Sequence, residues 1–199
     1  YTASNKDFGV YLCEKIIARI EKSHTRTPGF SEGFKIDNTA TIGIPFNLNS
    51  LKITVVGSIN MDTYLNVPQL PHTGKTVITS TSSVYPGGKG INQAIGASRL
   101  GHRVTLIGNV GSDLDSDNIY RALNENGVET HGVKRCLQTD TGKAYIFVDS
   151  NGDSMISILT GANGIFTPQD ICEKEHLFEN TGYCLIQSEI PLDTMREAC

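Results

Sequence analysis

The sequence predicts an α/β fold, in which a parallel sheet is flanked by helices and carries a small β lid. Two short apolar runs that end in glycine, at 53–57 and 104–108, are typical of buried parallel strands. Helix-like segments follow these runs, and strands that alternate with helices indicate a parallel sheet. Polar-alternating segments near 63–84 and 143–159 interrupt the alternation and predict a second, exposed sheet.

Residues 1–50 are predicted to be separate from the α/β domain, which occupies residues 51–199. Apolar side chains spaced between charges at 6–22 predict an amphipathic helix. Residues 23–50 are rich in Thr, Gly, Asn and Pro without a sustained period, which predicts a linker. No function follows from either segment.

The predicted elements of the domain follow from local signals. Its first half carries a buried strand, two exposed strands, a helix, a second buried strand and a second helix, at 53–57, 63–67, 76–84, 90–100, 104–108 and 115–126. Asn151-Gly152 predicts a hairpin between strands at 143–149 and 154–159. Thr167 before Pro168 is typical of a helix start. A third buried strand at 183–187 and a last helix from Pro191 complete the domain.

Composition excludes several classes of protein. The 199 residues carry a formal net charge of -4, with 38% hydrophobic and 19% charged residues, which is unlike the basic field of a nucleic-acid binder. No apolar run has the length of a membrane span. The five cysteines are odd in number and form no C-x-x-C motif, which favours reduced thiols and a cytoplasmic location.

The most informative segment is the glycine-lysine loop at 87–92, which leads directly into the helix predicted at 90–100. Glycines at a helix entrance allow close backbone approach and leave uncapped N–H groups for a polar or anionic ligand. A Walker loop is excluded because Ser83 and Gly90 stand where it needs Gly and Ser or Thr. Gln93 likewise excludes the G-x-G-x-x-G dinucleotide pattern. The alternative is a glycine turn before an ordinary surface helix.

Polar residues follow the predicted strands at the edge where α/β sheets bind ligands. Two carboxylates, two amides and a lysine are predicted to converge there: Asn60, Asp62, Lys89, Asn92 and Glu189. Carboxylates accept hydrogen bonds from hydroxyls and amides both donate and accept, so this set suits a polyhydroxylated ligand. Taken singly, Asp62 could be a turn or cap residue, Glu189 a solvated loop acid and Lys89 a counter-charge to nearby acids.

Residues 53–199 resemble the amino-terminal half of the ribokinases, within the PfkB carbohydrate kinase family. The likeness rests on the segment at 57–62, on Gly87-Gly88-Lys89-Gly90 with Asn92, and on downstream glycines, Gly161-Ala162-Asn163 and the segment at 187–191. It implies a ribokinase-like sheet and ATP-dependent phosphorylation of D-ribose to ribose 5-phosphate. It also implies that Asn60, Asp62, Gly88, Lys89, Asn92 and Glu189 bind the sugar.

The resemblance further implies ATP, Mg²⁺ and a monovalent cation such as K⁺, and a lid whose strands allow a homodimer. In this family the catalytic base and the anion hole come from a G-A-G-D segment, and the ATP pocket lies beyond it. Gly161-Ala162 continues with Asn163, and no G-A-G-D occurs in these 199 residues. We therefore expect an incomplete sheet, no catalytic residue in this chain and no kinase turnover by the isolated chain. The alternatives are a related kinase for a nucleoside, a ketose or pseudouridine, or a non-catalytic sugar-binding or regulatory fragment of a fusion.

Overall fold

The computed structural model describes residues 52–199, and the helix predicted at 6–22 and the linker at 23–50 lie outside them. The strands are β1 Lys52–Val56, β2 Asn60–Asn66, β3 Thr81–Gly87, β4 Arg103–Val110, β5 Glu129–Arg135, β6 Gly142–Val148, β7 Ser154–Leu159 and β8 Thr181–Ile186. The helices are α1 Lys89–Arg99, α2 Leu114–Glu125, α3 Pro168–Cys172 and α4 Leu192–Glu197, with short 3-10 helices at Gly161–Ile165 and Glu175–Phe178. Within residues 52–199, no helix is long and apolar enough to cross a membrane.

The central sheet has the strand order β5-β4-β1-β8, and all of its neighbouring strands are parallel. Successive side chains of a strand point to opposite faces, so the apolar runs of β1 and β4 fill two cores. Val55 of β1 packs with Ile91 of α1 on one face, whereas Val56 packs with Phe166 on the other. The sheet is therefore covered on both sides, as the apolar runs predict.

The helix boundaries follow from residue types at their ends. Thr167 caps α3 in a capping box with Asp170, and Pro168 occupies the first turn. Gly101, with a φ of 91°, ends α1 in the left-handed conformation that glycine adopts readily. These boundaries agree with the sequence predictions for both helices.

The second sheet, which we call the lid, has the order β3-β2-β6-β7. Strands β2 and β3 are antiparallel, β2 and β6 are parallel, and β6 and β7 form the antiparallel hairpin predicted from Asn151-Gly152. The whole of β7 is exposed. Only three residues separate the end of β1 from the start of β2, so the lid continues directly from the central sheet.

Four strand predictions need correction. Strand β2 starts at Asn60 rather than at residue 63, so Asn60 and Asp62 already belong to the lid. Strand β3 spans Thr81–Gly87 rather than 76–84, so the first glycine of the glycine-lysine loop ends this strand. Strand β5 was not predicted, because it is an edge strand whose buried residues are limited to Gly132 and Val133 among polar neighbours. Strand β8 was predicted to be buried, but it forms the other edge of the described sheet and Tyr183 is exposed.

Asp113 joins the start of α2 to the start of β6. Its Oδ1 accepts hydrogen bonds from the backbone N–H of Ser116 at 3.0 Å and the Thr141 hydroxyl at 2.6 Å, and its Oδ2 accepts from the Thr141 backbone N–H at 2.9 Å. Burial alone would raise the pKa of Asp113, but the hydrogen bonds from Thr141 and Ser116 hold it below its ordinary value. One carboxylate thus caps a helix and anchors a lid strand.

Replacing Asp113 with alanine is expected to lower the free energy of unfolding at neutral pH by about 1–2 kcal/mol, because an N-cap is lost. The pKa of Asp113 is lower in the folded state, so its stabilising contribution is complete above the ordinary value of 3.8 and disappears as pH falls through the folded-state pKa. Urea unfolding of the wild-type and Asp113→Ala proteins at decreasing pH measures whether their free energies of unfolding become equal in acid. Exposed Asp140→Ala is the control, and a difference that stays constant into strong acid would contradict the assignment.

Candidate functional site

The entrance of α1 is closed by the segment that follows β1. Gly88, with a φ of 92°, is the N-cap residue of α1, and having no side chain it cannot cap the helix with a side-chain hydrogen bond. The Ser58 carbonyl accepts hydrogen bonds from the backbone N–H groups of Gly90 at 3.0 Å and Ile91 at 3.3 Å, and the Ser58 hydroxyl accepts from that of Lys89 at 3.1 Å. The prediction of uncapped N–H groups facing a ligand is therefore wrong, because Ser58 folds onto the helix and satisfies them.

Lys89 and Glu189 form an ion pair at the mouth of this loop. The Ser58 hydroxyl donates a hydrogen bond to Glu189 Oε2 at 2.8 Å, so the segment after β1, the start of α1 and the segment after β8 meet at one point. Burial alone would raise the pKa of Glu189, but the hydrogen bonds from Lys89 and Ser58 hold it below its ordinary value. The Lys89 side chain is 61% exposed, so the pair faces solvent.

A cavity of about 460 Å³ opens between the lid and α1. Residues from β2, from β3 and its end, and from α1 line it: Asp62, Tyr64, Asn66, Ser83, Tyr85, Pro86, Gly87 and Asn92. Alternate residues of a strand share a face, which explains why three residues spaced by two along β2 reach the same cavity. The rings of Tyr64 and Tyr85 stand edge to face with centroids 6.2 Å apart, giving the cavity one aromatic wall.

The carboxylate of Asp62 is the chemically distinctive group of the cavity. Its Oδ1 is enclosed and has no hydrogen-bond partner within the described part of the chain. Burial raises the pKa of Asp62, the Gly88 backbone N–H opposes that rise, and the nearby Glu189 carboxylate adds to it. A buried acceptor without a donor is costly unless a ligand or water supplies one.

Gly87 gives the Asp62 carboxylate its room. A Cβ atom at position 87 would lie 1.9 Å from Asp62 Oδ2, well inside van der Waals contact. Strand β3 pairs Gly87 with Asn60 and Tyr85 with Asp62, so the glycine lies beside the acidic side chain without covering it. The glycine-lysine loop therefore shapes the space around a carboxylate.

Asn60 differs from the other predicted residues, since it is buried and does not line the cavity. Its Oδ1 accepts a hydrogen bond from Asn163 Nδ2 at 2.8 Å. The structure thus brings Asp62 and Asn92 to the cavity and pairs Lys89 with Glu189 beside it. Gly88 closes the helix entrance, and Asn60 lies one layer deeper.

Several residues of the site were not predicted. Ser58 was part of the predicted edge but carried no assignment, although it holds both Glu189 and the start of α1. The polar and aromatic residues Asn60, Asp62, Tyr64 and Asn66 alternate along the sequence, which indicates one face of a strand. This signal was missed because the predicted strand began only at residue 63. Asn163 was noticed only as part of a resemblance, since its contact with Asn60 joins residues 103 apart.

Comparison with known proteins identifies relatives of this chain. The pattern of the pfkB family of carbohydrate kinases matches residues 50–199. The chain is 37% identical over 147 residues to the ribokinase of Bacillus subtilis, covering 74% of this chain and 50% of that protein. It is 33% identical over 148 residues to the deoxyribokinase of Salmonella typhi, covering 74% of this chain and 48% of that protein.

A solved structure gives the same result for the fold. The structure of Arabidopsis thaliana ribokinase complexed with ribose and ATP superposes with a TM-score of 0.65 and 30% sequence identity, over 75% of this chain and 50% of that one. The chain spans about half the length of the curated relatives that it matches. The predicted parallel sheet with flanking helices is confirmed by this likeness.

Proposed function

Because the chain belongs to the pfkB family of carbohydrate kinases, we propose that the protein transfers a phosphoryl group from ATP to the primary hydroxyl of D-ribose. Residues 52–199 supply the sugar site in this proposal, and the product is ribose 5-phosphate. The observation that carries it is the unpartnered Oδ1 of Asp62, enclosed beside a cavity lined with polar groups. A sugar hydroxyl donates the hydrogen bond that this oxygen lacks.

The remaining predicted residues have compatible roles. Asn92 lies on the α1 side of the cavity and both donates and accepts hydrogen bonds. Glu189 and Lys89 are paired with each other, so binding a hydroxyl requires that pair to open. The Lys89 ammonium is exposed although Glu189 is half-buried, and an ion pair at the protein surface contributes only about 0–1 kcal/mol, so opening the pair costs little free energy. Gly88 acts through its backbone, next to Asp62.

ATP, Mg²⁺ and K⁺ remain implied by the family resemblance. Residues 52–199 contain no group of three or more His, Cys, Asp or Glu side chains arranged to hold a metal ion. We assign no residue within 52–199 to a cation, and derive no catalytic step through a cation or the nucleotide. A homodimer through the lid and a cytoplasmic location likewise stay predictions.

A second candidate substrate is 2-deoxyribose, favoured by the 33% identity to a deoxyribokinase. The two sugars differ by one hydroxyl, and a site that hydrogen-bonds a hydroxyl discriminates strongly against an analogue that lacks it. Nucleosides, ketoses and pseudouridine are the other substrate classes that the family resemblance leaves open. A non-catalytic sugar-binding role predicts affinity without turnover.

A coupled assay of ADP formation tests the proposal in the full-length protein, whereas the isolated chain of 199 residues is expected to show no turnover. We expect turnover with ATP and D-ribose, and lower kcat/KM with 2-deoxyribose, nucleosides and ketoses. Phosphorus NMR of the product distinguishes the 5-phosphate from other esters. Preference for 2-deoxyribose or a nucleoside would move the assignment to that substrate, and calorimetric ribose binding without turnover would favour the non-catalytic role. The absence of both binding and turnover would overturn the proposal.

A further inference from the structure

We propose that the aromatic wall of the cavity, formed by Tyr64 and Tyr85, selects sugars whose hydroxyls at C2 and C3 lie on the same side of the ring. This inference rests on the proposed sugar site and deepens it by naming the configuration that the site prefers. It makes Tyr85 a specificity-determining residue and gives Tyr64 the role of its support. Neither tyrosine was predicted as a site residue from the sequence.

Both tyrosines lie on the face of the lid that carries Asp62. Tyr85 is directly opposite Asp62 in the antiparallel β2–β3 pair, and Tyr64 follows Asp62 by two residues along β2. Side chains that are directly opposite each other in such a pair have Cβ atoms about 4.5–5.5 Å apart, and residues two apart on one strand share a face. All three residues line the same cavity. A ligand held by the Asp62 carboxylate therefore lies beside the aromatic wall.

Tyr85 provides most of the free surface of the wall. Its exposed fraction is 57%, compared with 36% for Tyr64. The two ring planes are inclined at 63°, and this edge-to-face contact holds the rings against each other. The exposed part of the Tyr85 ring is apolar area, and a ligand that covers it gains free energy by removing that area from water.

The cavity is therefore amphipathic. Its lid side carries the two tyrosine rings, whereas Asp62 and, on the α1 side, Asn92 supply polar groups. The enclosed Oδ1 of Asp62 has no hydrogen-bond partner within residues 52–199, so this oxygen is available to a hydroxyl. A ring sugar matches such a cavity when its hydroxyls lie on one side and its C–H groups on the other. The hydroxyls then reach the polar groups while the C–H side packs against the Tyr85 ring.

D-Ribose has this arrangement, and its C2 epimer D-arabinose does not. In the ring forms of D-ribose, the hydroxyls at C2 and C3 lie on one side and the hydrogens of these carbons on the other. Inversion at C2 gives D-arabinose and turns one hydroxyl towards the C–H side. An aromatic ring does not replace the hydrogen bonds that this hydroxyl makes with water, so contact with Tyr85 disfavours it. 2-Deoxyribose has no hydroxyl at C2, and the wall therefore does not discriminate against it.

The ratio of the dissociation constants for D-arabinose and D-ribose tests this role, measured by competition calorimetry with the full-length protein. We expect Tyr85→Ala to weaken ribose binding by about fivefold through lost apolar contact, and to lower the arabinose-to-ribose ratio by about tenfold because water then solvates the inverted hydroxyl. The ratio for 2-deoxyribose and ribose should change by less than about twofold. Tyr85→Phe keeps the ring and should keep the wild-type arabinose ratio. An unchanged arabinose ratio in Tyr85→Ala would overturn the inference, as would an equal fall in Tyr85→Phe, since the phenolic hydroxyl would then be the selecting group.

Tyr145→Ala is the matched control within the lid. Tyr145 is 37% exposed and is paired with Thr63, so it lies on the lid face opposite to Asp62. We expect the wild-type arabinose ratio in this variant, and a fall equal to that in Tyr85→Ala would indicate a general effect on the lid and overturn the inference.

Tyr64→Ala provides a second test in case Tyr85→Ala fails to fold. Loss of the edge-to-face support should lower the arabinose ratio in the same direction, by about threefold, and no change would contradict the role of the wall. Ribose binding with a ratio that no tyrosine substitution alters would overturn this inference and leave the proposed sugar site intact. Absence of ribose binding by the wild-type protein would instead overturn the site itself and this inference with it.

Discussion

Asp62→Ala is expected to weaken ribose binding by about a hundredfold, because a hydrogen bond to a charged group contributes about 1.5–3 kcal/mol and the carboxylate can accept more than one. The prediction follows from the enclosed, unpartnered Oδ1 in the cavity. Isothermal titration calorimetry of the wild-type and variant proteins with D-ribose measures the loss. Asp62→Asn separates charge from shape, and Asp117→Ala, an exposed aspartate on α2, is the matched control. Equal ribose affinity in wild type and Asp62→Ala would refute the assignment.

The pKa of Asp62 gives this prediction a second readout. Burial raises it above the ordinary value of 3.8, so the folded state disfavours the charged carboxylate. Removing the carboxylate is therefore expected to leave the unfolding temperature at neutral pH unchanged or higher. Ribose affinity should be full above the raised pKa and fall as pH drops through it, because the protonated group has lost an acceptor. A loss of stability that parallels the loss of affinity would indicate an indirect effect.

Gly90→Ala is expected to lower the free energy of unfolding by about 1–3 kcal/mol, through overpacking between α1 and the segment after β1. A Cβ atom at position 90 would lie 2.7 Å from both the Gly57 carbonyl carbon and Ser58 O. Both are backbone atoms, so relief requires movement of the helix. That movement would also displace Lys89, whose backbone N–H is held by Ser58.

Gly96→Ala supplies the control in the same helix. Apart from the backbone of its own helix, no heavy atom of residues 52–199 lies within 4 Å of a Cβ atom at position 96. Alanine is a better helix former than glycine, so this change is expected to raise the free energy of unfolding by about 0.5–1 kcal/mol. Chemical denaturation of both variants tests the opposite signs. Stabilisation by both substitutions would show that the contact at position 90 is not tight.

Much of the fold could be predicted because its signals are local. The apolar runs of β1 and β4 contain enough adjacent buried residues to indicate strands covered on both faces. Strand β5 gave no such signal, since Glu129, His131 and Lys134 interrupt it. The exposure of β8 depends on which strands lie beside it, and that is a tertiary property with no mark in its own sequence.

The sequence predicted which residues would meet at the candidate site better than it predicted the hydrogen bonds among them. Asp62 and Asn92 share one cavity, and Lys89 meets Glu189 beside it, as convergence at one sheet edge predicts. The sugar-binding roles of all six residues stay predictions until binding is measured. Which groups contact the start of α1 could not be predicted from the sequence. The Ser58 carbonyl that closes the α1 entrance is a backbone group, so the residue type at position 58 does not indicate its contacts.

The alternating faces of β2 restrict which mutations this part of the chain can accept during evolution. Asn60 and Asp62 alternate with Met61, which belongs to the hydrophobic core. Inserting or deleting one residue between β1 and Asn60 would exchange the faces, placing a thioether at the cavity and two polar side chains in the core. Substitutions can therefore tune this pocket one side chain at a time, whereas insertions and deletions here would invert it as a whole. We expect sequence drift at this strand to proceed by replacement with its length preserved.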